Sequence, residues 1–114
     1  IPKGVEVYEI NGPYFFGVAT QFEELMSEFR DRSKVRIIRM RKVPFIDSTG
    51  IHNLSNLCEM SRKNTITVVL SGVNPKVHNA LQKAGFYRLL GEKNICPDIN
   101  VALARARQIL EKTA

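Results

Sequence analysis

The sequence predicts an α/β fold: a single mixed β-sheet of four to five strands flanked by about four helices. Segments that look like strands alternate with segments of helical spacing, and this order implies parallel strands joined by right-handed crossovers. A turn signal, Asn11-Gly12-Pro13, separates the first two strand-like segments and predicts an antiparallel hairpin at the start. The length of 114 residues suits one domain, residues 1–114, with one core.

The first half of the chain supplies the hairpin strands, a helix and a third strand, at residues 5–10, 14–18, 19–29 and 35–40. Residues 5–10 alternate apolar and charged side chains, as a half-buried strand does. The third strand is not purely apolar. Its period of two places Arg36 on the face of Ile38, whereas Arg39 and Arg41 share the opposite face near the end of the strand.

The second half supplies three helices, at residues 48–62, 75–84 and 99–109, a β-branched strand at 65–70, and a connector or edge strand at 86–90. Asp47, Asn74 and Asp98 are placed to cap the three helices, because short polar side chains accept from the open N–H groups of a first turn. Gly85 is expected to end the middle helix in the left-handed conformation. The apolar positions of the last helix include Val101.

The net charge of +6 is concentrated in one stretch. Seven basic residues and one acid lie between Arg30 and Lys42, which predicts a solvated basic face. Such a face would also favour an anionic membrane leaflet. No tryptophan and no aromatic ladder accompany the charges, so we expect no nucleic-acid partner.

The cysteines and histidines predict neither a disulfide nor a metal site. Cys58 and Cys96 are far apart in sequence, and neither His52 nor His78 has a nearby ligand-type residue. Reduced thiols in a cytosolic compartment are expected, without metal or cofactor. No apolar run approaches the roughly 18 residues of a membrane span, so we expect the chain by itself to be soluble.

Residues 43–51 carry the candidate site. Pro44 should end the third strand, and Asp47 should cap the helix whose first turn contains Ser48, Thr49 and Gly50. The cluster has two interpretations from the residues alone. It is either simple capping chemistry or a phospho-acceptor hydroxyl on an interaction surface.

Arg39 and Arg41 also allow two interpretations. They either pair with Asp47 or another neighbouring acid, or they contact an anion or a phosphate group. The sequence favours the ion pair as the simpler explanation.

The order of these motifs resembles the STAS domain. The resemblance rests on Asp47-Ser48-Thr49-Gly50 between a strand and a helix, and on residues 71–75 followed by Leu81-Gln82-Lys83-Ala84-Gly85-Phe86. This domain is shared by bacterial anti-sigma-factor antagonists and by the cytoplasmic tails of SulP-type anion permeases. Residues 12–19 and 38–47 are similar to the corresponding segments of the permease tails.

The resemblance implies a non-catalytic regulatory domain of a sulfate-type anion permease, at the cytoplasmic face of the bacterial inner membrane. The implied partners are the transmembrane domain of the same permease, a second protomer or a cytosolic regulatory protein. Ser48 corresponds to the phospho-acceptor of the antagonists. Asp47, Thr49, Gly50, Arg39 and Arg41 are then the expected contacts to a partner or an anion.

Two alternatives stay open at this point. A free-standing antagonist would bind an anti-sigma kinase through residues 47–50, although Pro13 and Tyr14 stand where antagonists usually carry an acidic first turn. A weak nucleotide-binding module is the other alternative, since some STAS domains are thought to bind nucleotides. No P-loop and no nucleophile–base pairing occur, so an enzyme is not expected.

Overall fold

The structure is a computed structural model that describes residues 2–11 and 33–113. Its elements, in chain order, are β1 (Val5–Asn11), β2 (Val35–Lys42), α1 (Ser48–Lys63), β3 (Thr67–Ser71), α2 (Pro75–Lys83), α3 (Phe86–Leu90), a 3₁₀ turn (Glu92–Asn94), β4 (Ile95–Cys96) and α4 (Ile99–Thr113). The predicted strand at 14–18 and helix at 19–29 lie outside the described residues.

The sheet has the strand order β1-β2-β3-β4, and every neighbouring pair in the described residues is parallel. A parallel pair needs a crossover connection, which α1 provides between β2 and β3. The predicted parallel part of the sheet is therefore confirmed. The antiparallel hairpin was predicted to add a strand at residues 14–18, which the structure does not describe.

One element was assigned to the wrong class. Residues 86–90 were predicted as a connector or edge strand, but Phe86–Leu90 is the helix α3. Gly85 adopts a φ of +85°, ends α2 and lets the chain start a second helical turn at once. Phe86 is almost fully buried, so its packing overrides its strand propensity. The edge strand of the sheet is instead Ile95–Cys96.

The core consists of two apolar layers, one on each face of the sheet. On one face, β2 and β3 contribute Ile38, Met40, Val68 and Leu70, which pack against α1, α2 and α3. On the other face, alternate residues pack against α4, as the two-residue period of a strand requires. Helix α4 contributes Ala102, Ala106 and Ile109 to this second layer, whereas the predicted apolar position Val101 is 44% exposed.

The buried Arg36 explains why β2 is not a purely apolar strand. Its Nε lies 3.0 Å from Glu6 Oε2 on β1, and its guanidinium donates to Ser61 Oγ of α1 at 2.9 Å. Ser61 in turn donates to the Leu57 carbonyl. A buried charge is tolerated when it is paired and hydrogen-bonded in this way. The contact also links β2 to β1 and to α1.

Candidate functional site

The candidate site lies at the carboxyl ends of β2 and β3. We call residues 43–50 the β2–α1 turn. Val43 and Ile46 are buried in the core, whereas Pro44 and Phe45 between them face solvent, with Phe45 43% exposed. The carboxyl edge of a parallel sheet is where ligands and partners usually meet an open α/β fold. Sequence analysis predicted the place of this turn but did not single out Phe45.

Asn74 fixes the path of the β2–α1 turn. Its side-chain amide donates to the carbonyl oxygens of Val43 at 3.1 Å and Pro44 at 3.2 Å. Its Oδ1 accepts from the Val77 N–H at 2.8 Å, which is the predicted cap of α2. One side chain therefore ties the β2–α1 turn to the start of α2. The sequence signal for this contact is that the capping residue is an asparagine, which carries donors as well as an acceptor.

Gly72 allows this close approach of the two loops. It has a φ of +73°, and a Cβ placed there would lie 3.0 Å from the Arg41 Cβ and 3.2 Å from the Arg41 backbone. Only glycine combines that conformation with that spacing. The loop after β3 therefore packs directly on the end of β2, which makes the edge of the sheet rigid.

Asp47 caps α1 as predicted. Its Oδ1 accepts from the Gly50 N–H at 2.9 Å, and its backbone is extended. Ser48 and Thr49, in the first helical turn, are exposed, whereas Gly50 is buried and serves as the donor to the cap. The two hydroxyls thus stand in solvent beside the positive end of the helix dipole, where added negative charge is stabilised.

Arg41 pairs with a neighbouring strand rather than with Asp47. Its Nε lies 3.0 Å from Glu9 Oε1, and Lys42 Nζ lies 3.4 Å from the same oxygen. The hydrogen bond from Arg41 holds the pKa of the Glu9 carboxyl below its usual value. Arg39 is half-buried and sits opposite Glu9 in the strand register. Of the two interpretations of Arg41, an ion pair or an anion contact, the structure shows an ion pair with Glu9. Asp47 caps α1 instead.

The described residues contain no cluster of three or more side chains suited to hold a metal ion. Both cysteines are free and buried. Burial raises the pKa of the Cys58 thiol to about 12, so this group is neutral and unreactive in the folded protein. Among residues 2–11 and 33–113, no helix has both the length and the apolar character needed to cross a bilayer.

Known proteins share the sequence pattern and the fold. The family model described as STAS domain matches residues 1–102. A sulfate transporter family protein from Wolinella succinogenes is 43% identical with a TM-score of 0.89, over 97% of this chain and 91% of that one. The SulP transporter STAS domain from Vibrio cholerae is 37% identical with a TM-score of 0.89, over 98% and 88% of the two chains.

A longer relative matches more weakly. The putative sulfate transporter YvdB of Bacillus subtilis is 25% identical over 91 residues, which cover 79% of this chain. The match spans only 17% of the length of that protein.

Proposed function

Because the chain belongs to the STAS domain family, with homologues that are STAS domains of SulP-family sulfate transporters, we propose that it is the non-catalytic regulatory domain of a sulfate-type anion permease. Its work is to bind protein partners through the β2–α1 turn. The observation that carries this proposal is a rigid turn that presents Phe45, Ser48 and Thr49 to solvent at the carboxyl edge of the sheet.

The rigidity of the turn supports a role in binding. A surface held in its bound shape loses little conformational entropy when a partner docks, so more of the contact energy appears as affinity. Two hydrogen bonds from Asn74 and the close packing of Gly72 provide that order before any partner arrives. An aromatic side chain at the centre of such a surface is a common anchor of protein interfaces.

The partner in this proposal is the transmembrane domain of the same permease, at the cytoplasmic face of the inner membrane. This chain matches 17% of the length of YvdB, so a transporter of that kind contains several times more chain than the domain itself. A second protomer or a cytosolic regulatory protein would use the same turn. In this proposal Asp47, Thr49, Gly50, Arg39 and Arg41 also belong to the contact with the partner.

Phosphorylation of Ser48 would act as a charge switch on this surface. A phosphate group adds about two negative charges at the first position of α1, where the helix dipole and the open N–H groups favour an anion. The new charge lies beside the exposed carboxylate of Asp47. It would repel an acidic partner surface and attract a basic one, and so change how the domain docks.

The test uses the intact transporter whose reading frame contains this chain, expressed in cells without their own sulfate uptake. Ser48→Asp should change the initial rate of sulfate uptake by at least about twofold, because charge at a contact surface is worth roughly 1 kcal/mol. Asn100→Asp is the matched control, since it places a carboxylate in the first turn of α4, on the other face of the sheet. It should leave uptake unchanged.

Two results together would end the proposal for Ser48. One is a Ser48→Asp transporter with the uptake rate of the wild type. The other is mass spectrometry of the intact transporter from growing cells that finds Ser48 unmodified in every growth condition. Sulfate uptake by Ser48→Ala should be normal but insensitive to conditions that alter the phosphorylation of the wild type.

A further inference from the structure

A cavity of about 180 Å³ lies at the far end of α1 from Ser48. It opens between the last turns of α1, the start of β3 and the helix α3. Ser48 and Arg62 are separated by about 21 Å along the helix, at 1.5 Å per residue. The cavity is therefore distinct from the β2–α1 turn, and its use does not depend on the regulatory role proposed above. Its principal lining residues are Cys58, Arg62, Ile66, Val68, Leu89 and Leu90.

The lining of the cavity combines aliphatic side chains with the polar residues Thr67 and Asn94 and one charged residue, Arg62. Ile66 and Val68 come from the sheet side, and Leu89 and Leu90 come from α3. The Cys58 thiol is buried and stays protonated because burial raises its pKa to about 12. These aliphatic side chains can contact the apolar body of a guest and remove it from water.

Asn94, which also lines the cavity, forms one donated and one accepted hydrogen bond within the protein. Its Nδ2 donates to the Leu90 carbonyl at 2.7 Å, and its Oδ1 accepts from Arg105 Nε at 2.7 Å. The amide thus helps to build the wall by joining α3 to α4.

Arg62 supplies the charge at the edge of the cavity. It lies in the last turn of α1, where the helix dipole favours a cation, and it is exposed. Within the described residues its guanidinium forms no ion pair. No acidic residue lines the cavity. A volume lined in part by aliphatic side chains, with one guanidinium and no carboxylate in its lining, is complementary to a small amphiphilic anion.

We propose that this cavity binds a small monocarboxylic acid, with its carboxylate on Arg62 and its apolar body against Leu89 and Leu90. The size of the guest follows from the volume. A cavity of roughly 150 Å³ lined by aliphatic side chains accepts a benzene molecule. The present volume, 180 Å³, therefore suits one ring or a branched chain of similar bulk plus the carboxylate at the opening.

The test compares benzoate with benzamide, which has the same shape and number of non-hydrogen atoms but no charge. Binding is followed by NMR of the methyl groups of Ile66, Val68, Leu89 and Leu90. Benzoate should shift these methyl signals with a dissociation constant near about 1 mM, a usual affinity for so small a ligand. Benzamide should bind at least about fivefold more weakly, since charge-assisted hydrogen bonds to Arg62 are lost.

Two matched variants locate the charge. Arg62→Gln should weaken benzoate to the affinity of benzamide, whereas Arg107→Gln, also on an exposed helical position, should bind benzoate like the wild type. The proposal is overturned if benzoate causes no shift in the cavity methyl groups, if benzamide binds equally well, or if Arg62→Gln has no effect. Shifts confined to signals near Arg39 and Arg41 would overturn it as well.

Discussion

At the scale of single residues, Asn74 does the most to shape the candidate site. A serine or an aspartate would cap α2 equally well, but only the amide carries two donor hydrogens beside the acceptor, and it donates to two carbonyl groups of the β2–α1 turn. Sequence analysis could identify the cap because the acceptor role is local. It could not identify the two donated bonds, because their partners lie about thirty residues earlier in the chain.

We predict that Asn74→Asp lowers the free energy of unfolding by about 1–3 kcal/mol. The aspartate keeps the acceptor for the Val77 N–H, but it loses both donors and places a carboxylate against the carbonyl groups of Val43 and Pro44. Urea denaturation measures the change. Asn79→Asp on the exposed face of α2 is the control and should stay within about 0.5 kcal/mol of the wild type. An equal, small effect of both variants would mean that the donated bonds contribute little.

Cys58 leads to a prediction about pH. Its pKa is about 12 in the folded protein and 9.0 in the unfolded chain, because burial disfavours the thiolate. The folded state therefore binds more protons between these values. This contribution to stability is complete below pH 9 and is lost as the pH rises toward 12.

Between pH 8 and pH 10 the wild type should lose about 1 kcal/mol more than Cys58→Ala does. The alanine variant, although less stable at both pH values, lacks the titrating group, so the difference between the two proteins isolates it. Denaturation by urea at the two pH values gives the numbers. Parallel losses in the two proteins would show that Cys58 is accessible to water in the folded state.

At the scale of elements, the sequence indicates where the helices begin more clearly than which side of each helix is buried. Asp47, Asn74 and Asp98 each accept from an N–H of the first turn, as the sequence predicted. The phase of α4 was predicted only in part: Ala106 and Leu103 pack in the core as expected, whereas Ala102 was missed because alanine carries little hydrophobic signal. Ala102 and Ala106 face the sheet since small side chains let the helix approach closely, and this leaves Val101 in solvent.

The loop after β3 gives a prediction that compares the replacement of two glycines, Gly72 and Gly85, by alanine. Gly72 and Gly85 both have φ values near +80°, so alanine is strained at either position. A Cβ at Gly85 would meet nothing within 4 Å, whereas one at Gly72 would press on Arg41. Gly72→Ala should therefore cost more stability than Gly85→Ala, by at least about 1 kcal/mol.

Thermal or urea unfolding of both variants tests this comparison. The cost of Gly85→Ala should be about 1 kcal/mol, which is the conformational penalty alone. If the two costs are the same, the loop after β3 can move away from β2 without loss. The β2–α1 turn would then be less rigid than its contacts with Asn74 and Gly72 suggest.

At the scale of the whole molecule, the fold class was predicted because the alternation of strands and helices is a local signal repeated along the chain. The parallel pairing of β2 with β3 followed from chain connectivity alone. Two surface features could not be predicted from the sequence in this way. The exposure of Phe45 depends on how Val43 and Ile46 fill the core on either side of it, and the cavity at Arg62 depends on α3, which was predicted as a connector or strand.

The exposed large hydrophobic residues of the described chain are Phe45 and Val101, which are 43% and 44% exposed. They lie on different elements, Phe45 in the β2–α1 turn and Val101 in α4, which packs on the other face of the sheet from α1. Neither is needed to fill the core, so alanine at either position should change the free energy of unfolding by less than about 1 kcal/mol. Any functional difference between the two substitutions therefore reports on the surface rather than on the fold.

We predict that Phe45→Ala lowers sulfate uptake by the intact transporter at least about fivefold, whereas Val101→Ala leaves it unchanged. The reason is that a buried aromatic anchor contributes about 1–2 kcal/mol or more to a protein interface, and an exposed residue elsewhere contributes nothing. Uptake is normalised to the amount of transporter in the membrane, which separates transport from expression. Normal uptake by Phe45→Ala, or an equal loss in both variants, would move the docking surface away from the β2–α1 turn.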